Sequence, residues 1–438
     1  MSKESAVAQP EFKNHGWRVT FSGMGINLAL GILYTWSVIS KHVPEEWNWK
    51  EDDKSLPYMV ACLIFSLVMV PAGRMQDKIG PRLVATIGGI LVGLGFILAS
   101  MTSSLMVFVV GFGVLAGAGI GFGYASATPP AVKWFPPAKT GLIAGIVVSG
   151  FGLASIYAAP LSKWLIITCG FKTAILILGI GFLVVVVILA QLLKPPHKVL
   201  QFLKEYGDVG RLKQQVMAEG KAISEGETVQ AVKKEDFTPK EMLHTIQFYL
   251  LWFMYACGAG AGLMVISKLA AIADKQVGIS LGFVLVAVLA VGNGGGRIAT
   301  GMLSDKIGRK AMMLICFVFQ AVLIFFLSRA TSDNTLGTIP AMAIISALIG
   351  ANYGANLSLF PSITKDFYGL KNFGMNYGLV FTAWGVGGFL LAYLAGKMYD
   401  AHQTFAIAYY GASVLLVLAA IMVFLVKPPH HAVDSYQA

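Results

Sequence analysis

The residues of this sequence best suited to bind an ion are Arg297 and Asn293, which stand among glycines in the stretch NGGGR (293–297). Residues four apart project from the same face of a helix, so the guanidinium and the amide would lie side by side. A guanidinium binds a carboxylate through two parallel hydrogen bonds, and an amide suits a hydroxyl or keto oxygen. The pair therefore predicts a site for a small organic acid.

The stretch around Arg297 is otherwise apolar, and the whole chain has the composition of a membrane protein. Of its 438 residues, 56% are hydrophobic and only 13% are charged. Twelve apolar runs are each long enough to cross a hydrocarbon core of roughly 30 Å as a helix. A phosphate-binding loop is the competing interpretation of GNGGGR, but no strand precedes it and no Gly-Lys-Ser/Thr is present. We therefore predict an all-α membrane protein with no cofactor and no metal site.

The charge of Arg297 needs a partner. Burying a cation in a spanning helix costs about 2.5 to 3.5 kcal/mol on insertion scales, so such residues usually face a wet cavity or a counter-charge. The apolar runs contain no Asp or Glu, and Asp274, Asp366 and Asp400 lie at or beyond the ends of runs. We expect the partner to be an anionic substrate. The alternative is a structural arginine that bonds to backbone carbonyls or reaches Asp274 or Asp366 in the fold.

The distribution of charge predicts the orientation in the membrane. Basic residues cluster in alternate connections, which by the positive-inside rule lie in the cytosol. With an even number of spans both termini are cytosolic, and we expect a multi-pass protein of the cytoplasmic (inner) membrane. The formal net charge of +11 requires no nucleic acid partner. The expected segments are a cytosolic N-terminus (1–16), a six-helix half (17–193), a cytosolic linker (194–243), a second six-helix half (244–427) and a cytosolic C-terminus (428–438).

The same ten-residue signature follows the second run of each half, as GRMQDKIGPR (73–82) and GMLSDKIGRK (301–310). Its recurrence at the same ordinal position indicates an internal duplication. Glycine lets helices approach closely, and an aspartate at a helix end can pair with an arginine or with a helix N-terminus. The residues for which we predict a role in conformational switching are Gly73, Asp77, Arg82, Gly301, Asp305 and Arg309. The alternative is that these loops only anchor the topology.

This motif and the twelve-span layout, which covers essentially the whole chain, resemble the major facilitator superfamily. The resemblance implies two six-helix halves around a central site, which faces the two sides of the membrane in turn. It also implies that the motif contacts help to stabilise the outward-open state. We expect a monomer.

A second resemblance narrows the substrate. The stretches GILYTWSV, GFGYASATPPAVKWFP, NGGGR, SLFPSITKDFYG and NFGMNYG are similar to the oxalate:formate antiporter family and, more distantly, to the monocarboxylate transporters for lactate and pyruvate. The resemblance puts Arg297 at the family's carboxylate-binding arginine. Oxalate exchangers carry a second cation, a lysine, where this chain has Trp384. Because two cations suit a dicarboxylate and one suits a monocarboxylate, this departure argues against oxalate.

Further aromatic and amide residues could complete a pocket around Arg297. They stand in the helices that form the central site of the superfamily. The candidates are Tyr34, Tyr124, Tyr353, Asn356 and Tyr377. Any one tyrosine could equally pack against other helices, but the motifs around Tyr124 and Tyr377 match the family.

The group that would carry a coupling proton is less obvious. Animal monocarboxylate transporters place an acidic residue one turn before the arginine and a lysine late in the first helix, where this chain has Asn293 and Val38. Asp274 and Lys397 end spans on the outer side and could form a gate that protonation releases, with Lys268 competing for the same acid. The alternative is a surface ion pair.

These observations favour a secondary transporter for small monocarboxylates, L-lactate or pyruvate, working by proton symport. An oxalate/formate-type exchanger of organic anions is the alternative. A membrane-embedded enzyme would need a nucleophile and base, or paired acids, at membrane depth, and the sequence has neither. An anion-sensing receptor would usually add a sizeable soluble domain. We expect no enzyme, and partners limited to the anion, H⁺ and the lipid bilayer.

Overall fold

The computed structural model describes residues 15–194, 236–273, 277–278 and 282–429, and every regular element in these ranges is helical. Within these ranges twelve long helices follow one another, and the short helix Pro239–Leu243 precedes the seventh. The long helices are α1 (Gly16–Leu30, continued by Gly31–Thr35 and Trp36–Ser40), α2 (Glu51–Ile79), α3 (Pro81–Ser100), α4 (Leu105–Val132), α5 (Thr140–Cys169), α6 (Phe171–Ala190), α7 (Ile246–Ala271), α8 (Gly282–Ile307), α9 (Arg309–Arg329), α10 (Ile339–Tyr368), α11 (Phe373–His402) and α12 (Ala406–Leu425).

Eleven helices of the described residues, α2 to α12, contain a stretch long and apolar enough to cross a membrane. The first predicted span is also helical throughout, but its winding tightens from α to 3₁₀ over Gly31–Thr35 before α-helix resumes. Short 3₁₀ stretches inside a helix often mark a functional hinge. The predicted all-α membrane fold is confirmed.

The two copies of the motif have the same backbone geometry. Gly80 lies between α2 and α3 with φ 93° and ψ 164°, and Gly308 lies between α8 and α9 with φ 92° and ψ 153°. This left-handed conformation is open to glycine at little cost. One glycine therefore ends a helix and lets the next begin at once, in both halves, as the internal duplication predicts.

Helix α8, which carries Arg297, is held on two sides by close backbone contact. It packs extensively against α10 of its own half and α5 of the other half. A Cβ atom at Gly296 would lie 2.3 Å from the carbonyl oxygen of Ala351 on α10, and one at Gly145 would lie 2.4 Å from the carbonyl oxygen of Arg297. Small residues permit such approach between membrane helices, where van der Waals packing replaces the hydrophobic effect.

The end of the central linker is anchored to the loop between α10 and α11. One carboxylate oxygen of Asp236 accepts hydrogen bonds from the backbone amides of residues 370 and 371, at 2.8 and 3.0 Å. The side chain of Phe237 is buried, and its carbonyl accepts from the side-chain amides of Asn372 and Asn376, both at 3.1 Å. This part of the linker is therefore built into the second half.

The start of the linker is tied to the first half. The indole N–H of Trp134, just beyond α4, donates to the carbonyl of Lys194 at 2.8 Å. Most of the expected linker and parts of both expected termini lie outside the described residues, namely 195–235, 1–14 and 430–438.

We expect Gly296→Ala to lower the midpoint of thermal unfolding of the detergent-solubilised protein, because the new methyl group overlaps the backbone of Ala351. Overpacking of this kind costs about 1 to 3 kcal/mol. The neighbouring Gly295 is the matched control, since a Cβ there meets nothing within 4 Å. Gly295→Ala should keep or slightly raise the midpoint, because alanine is the better helix former. Equal midpoints for the two variants would contradict the described α8–α10 contact.

Candidate functional site

The guanidinium of Arg297 is fully buried between the two halves. Its Nε–H donates to the side-chain oxygen of Asn293 at 3.0 Å, and its Nη1 donates to the carbonyl of Val148 on α5. Nη2 has no hydrogen-bond partner, and no carboxylate of the described residues forms an ion pair with the arginine. One backbone carbonyl therefore binds the cation, and one edge of the guanidinium is unpaired.

Asn293 holds the arginine rather than facing a ligand by itself. Its predicted place beside Arg297 is observed, and its oxygen accepts from Nε. A Cβ atom at Gly152 of α5 would lie 3.1 Å from that Nε and 3.2 Å from the Asn293 oxygen. The absence of a side chain at Gly152 therefore lets the Arg297–Asn293 pair lie directly against the first half.

Arg297 borders a small pocket whose other walls are almost all aromatic. The pocket holds about 150 Å³ of space between atoms, nowhere wide enough for a water-sized sphere. Its lining residues are Tyr34, Phe65, Tyr124, Phe151, Arg297, Leu357, Phe381 and Trp384. They come from both halves. Side chains must separate to admit a ligand, and pockets for drug-sized ligands, at roughly 300 to 1,000 Å³, are larger.

A chain of hydrogen bonds crosses the pocket between the halves. The indole N–H of Trp384 donates to the hydroxyl of Tyr353 at 2.9 Å, and that hydroxyl lies 2.5 Å from the hydroxyl of Tyr34. Either hydroxyl can donate to the other, because the Tyr353 oxygen keeps a second lone pair after it accepts from the indole. When Tyr353 is the donor, Tyr34 keeps its O–H for an anion at Arg297.

The predicted pocket residues are not all brought together. Tyr34 and Tyr124 line the pocket with Arg297, and Tyr353 contacts it through the hydroxyl of Tyr34. Tyr377 lies one turn away from the lining residue Phe381, with 5.8 Å between the ring centroids.

Asn356 points elsewhere. Its amide N–H donates to the carbonyl of Asn352 at 2.9 Å, and its side-chain oxygen packs against Gly258 of α7. Although it is buried, it is not among the residues that line the pocket.

Several pocket residues were absent from the predicted set. Trp384 was noted only as the place of a missing cation, and Phe65, Phe151, Leu357 and Phe381 carry no sequence signal that separates them from packing residues. The ring of Phe65, from α2, lies 5.1 Å from that of Phe381 and 5.4 Å from that of Trp384, both on α11. A contact of this kind, between helices of different halves, leaves no signal in the residue spacing of either helix.

A second space is larger but apolar. It is an open groove between α1, α5 and α6, lined by side chains such as Leu28, Leu161 and Trp164, and it does not include Arg297. Because the described residues of its lining include none with a charge, the groove suits lipid chains better than an anion.

The second copy of the motif clamps the start of α5. The two carboxylate oxygens of Asp305 accept from the backbone amides of Gly141 and Leu142, at 2.9 and 2.8 Å. Arg309 bridges Asp305 at 2.6 Å and Asp366 at 3.0 Å. An aspartate at a helix N-terminus satisfies unpaired N–H groups and interacts favourably with the helix dipole. The second half thus holds the first half at this point.

The first copy makes the equivalent contact with the start of α11. Asp77 accepts from the backbone amides of Gly374 and Met375 at 3.1 and 3.0 Å. In both copies the first glycine allows the approach, because a Cβ at Gly73 or Gly301 would lie 2.1 Å from a carbonyl oxygen of the facing helix. We call the end of the bundle that carries both contacts the motif end.

The basic partner differs between the copies. Pro81 stands where the second copy has Arg309, and Arg82 is exposed at the surface. Lys133, just beyond α4, interacts instead with Asp77 and with Asp236 of the linker. Burial lowers the pKa of Lys133 below its ordinary value, and the two carboxylates only partly oppose this shift.

Most of the predicted outer gate lies outside the described residues. Asp274 lies outside the described residues, as does the side chain of Lys268. Lys397 is exposed, with its ammonium 5.7 Å from the ring centroid of Tyr393.

The model of the family described as "Major Facilitator Superfamily" matches residues 19–301 and 251–437 of this chain. The chain belongs to this superfamily. The predicted fold of two six-helix halves and the prediction of a transporter rather than an enzyme are thereby confirmed.

Three similar proteins match over most of their length. An MFS-type transporter of Escherichia coli K12, YhjX, is 28% identical, with 85% of each chain covered. The oxalate:formate antiporter of Oxalobacter formigenes is 26% identical over 81% of this chain and 77% of its own length. Monocarboxylate transporter 12 of the mouse is 24% identical over 84% and 76%.

Among solved structures, the chain resembles FucP in the outward conformation, with a TM-score of 0.63 and 15% identity over 93% of this chain and 98% of that one. It also resembles a double Trp mutant of XylE, with a TM-score of 0.69 and 14% identity over 93% and 94%. At such identities the likeness concerns the fold.

We expect Asp305→Asn to loosen the motif end. The amide keeps one acceptor oxygen, so one backbone amide of α5 loses its partner and Arg309 keeps only Asp366 as a counter-charge. A single cysteine at Thr140→Cys, a position buried at this contact, should react about tenfold faster with a maleimide in a background without native cysteines.

The matched control is Lys306→Gln, which changes an exposed residue of the same motif and should leave the labelling rate unchanged. Equal rates for Asp305→Asn and the unmodified motif would mean that this contact does not hold the halves together.

Proposed function

We propose that this transporter carries small monocarboxylates, such as L-lactate and pyruvate, across the membrane by alternating access. The observation that carries the proposal is the unpaired Nη2 of the buried Arg297, at the edge of a pocket formed by both halves. A buried cation without a counter-charge favours an anionic ligand. The matches to transporters named for monocarboxylates and for oxalate and formate support the same class.

The number of cations favours one carboxylate over two. Among the described residues that line the pocket, Arg297 is the one that carries a charge, and Trp384 occupies the position that the resemblance assigns to a second cation. A second carboxylate would lie among Phe65, Phe381 and the indole, where its charge would be desolvated without compensation. A hydroxyl or keto oxygen could instead bind the hydroxyl of Tyr34.

The motif contacts provide the conformational switch in this proposal. With the motif end on the cytosolic side, as the basic loops favour, Asp77 and Asp305 hold the cytosolic ends of the halves together and the pocket would open outward. Separation of the two contacts would open it inward. Because Arg297 itself spans the interface to Val148, binding of an anion acts directly on the surface that must move.

Proton symport is the coupling that we propose. Asn293 and the carbonyl of Val148 bind the cation, which lowers the cost of enclosing the arginine without an anion. A carrier that can return unloaded performs net transport, whereas one that cannot is confined to exchange. Organic anion exchange is the second candidate, favoured by the similarity to the oxalate:formate antiporter.

We expect Arg297→Ala to abolish uptake of labelled L-lactate into proteoliposomes, with at least a hundredfold loss, on the order of the cost of leaving a carboxylate without its charged partner. Arg297→Lys should retain a small fraction, because an ammonium keeps the charge and loses the bidentate geometry. The control is Arg329→Ala, at an exposed arginine at the end of α9. Full uptake by a correctly folded Arg297→Ala variant would return the arginine to a structural role.

The coupling is tested with wild-type proteoliposomes under an inward pH gradient and, separately, with unlabelled formate or oxalate preloaded. Symport predicts L-lactate uptake that follows the pH gradient and needs no internal anion. Uptake that appears only with an internal anion would establish exchange and remove the proton from the mechanism.

A further inference from the structure

Three tyrosine hydroxyls lie close together beside the pocket and take part in none of the hydrogen bonds described above. Tyr124, Tyr255 and Tyr377 come from α4, α7 and α11, and each side chain is at most 3% exposed. The hydroxyls of Tyr124 and Tyr255 both interact with that of Tyr377, yet none of the three has a partner in hydrogen-bond geometry. Buried polar groups without partners are uncommon and call for an explanation.

The cluster lies between the pocket and the motif end. The three tyrosine rings surround Phe381, a wall of the pocket, with centroids 5.4, 6.1 and 5.8 Å from it in chain order. On α11, Trp384 contacts the pocket, Phe381 follows one turn nearer the helix start, and Tyr377 one turn further still. Met375, which bonds to Asp77, is only two residues beyond.

The chemistry of the cluster suits an anion. A phenol hydroxyl donates one hydrogen bond, and a carboxylate accepts several on its two oxygens. Tyr124 also lines the pocket that contains Arg297, so the cluster adjoins the cation. Tyr255 is further fixed by stacking on Phe360, at 4.1 Å between centroids and 10° between planes. The donors are therefore oriented in advance, and their spare capacity is the kind that a carboxylate fills.

We propose that the hydroxyls of Tyr124, Tyr255 and Tyr377 form a second, transient binding site for the substrate carboxylate on its way from Arg297 to the motif end. This inference rests on the proposed function. Tyr124 borders both sites, and Phe381, in the wall of the pocket, packs against all three tyrosine rings, so its ring must turn aside as the anion passes. Two tyrosines belong to the second half and one to the first, and the site therefore comes apart when the halves separate and the anion is released.

The test separates binding from translocation in Tyr255→Phe and Tyr377→Phe, which remove a hydroxyl and keep the ring. Neither change should harm folding, because the ring is kept and the lost hydroxyl forms no hydrogen bond of normal geometry. Equilibrium dialysis of labelled L-lactate should give a Kd within about twofold of wild type, since Arg297 is intact, while the maximal uptake rate in proteoliposomes falls roughly tenfold. The matched control is Tyr409→Phe on α12, whose buried hydroxyl is also unpaired and whose loss should change neither quantity.

Each other outcome has a definite meaning. Wild-type rates in both cluster variants would overturn the second site and leave the proposed function standing. A tenfold weaker Kd with a matching loss of rate would overturn it too, since the hydroxyls would then belong to the Arg297 site. Failure of the wild-type protein to bind L-lactate, pyruvate or formate would instead remove the proposed function itself.

Discussion

The buried charge of Arg297 is the constraint on which the central part of this molecule depends. Two of its three guanidinium nitrogens bond to Asn293 and to a carbonyl of the opposite half, and the third is unpaired. In a medium of low dielectric constant such a cation is tolerable only with compensation. Because Arg297 lies on the interface between the halves, the bonds that compensate its charge depend on how the halves are placed relative to each other. Electrostatics and conformation are therefore linked at this one side chain.

The glycines of α8 and α5 make this position possible. They allow the backbones of neighbouring helices to touch on both sides of the arginine, with no room for a side chain between them. Packed interfaces of this kind have discrete arrangements and do not deform continuously. Movement is therefore expected between whole halves, with hydrogen bonds at the motif end as the parts that must break.

The sequence allowed much of the fold and the centre of the site to be predicted, because they rest on local signals. Hydropathy marks spans, the repeated motif marks the duplication, and a four-residue spacing puts Asn293 beside Arg297. The sequence could not show that Asn293 would orient the arginine. It also could not show that Tyr353 would point to the pocket and Asn356 to α7, because an apolar helix carries no periodic signal for its rotation about its own axis. Phe381, Trp384 and Tyr255 were missed for the same reason, and Lys133 because its partners lie far along the chain.

The replacement of Arg309 by Pro81 in the first copy has a further consequence. Asp305 is bound by two backbone amides and an arginine that is itself tied to Asp366, whereas Asp77 has two amides and a lysine whose charged form is disfavoured by burial. The Asp77 and Asp305 contacts thus differ in strength, although the two halves have the same fold. Separation of the halves is therefore expected to begin between α2 and α11 and to end between α5 and α8, so the two contacts would break in a fixed order.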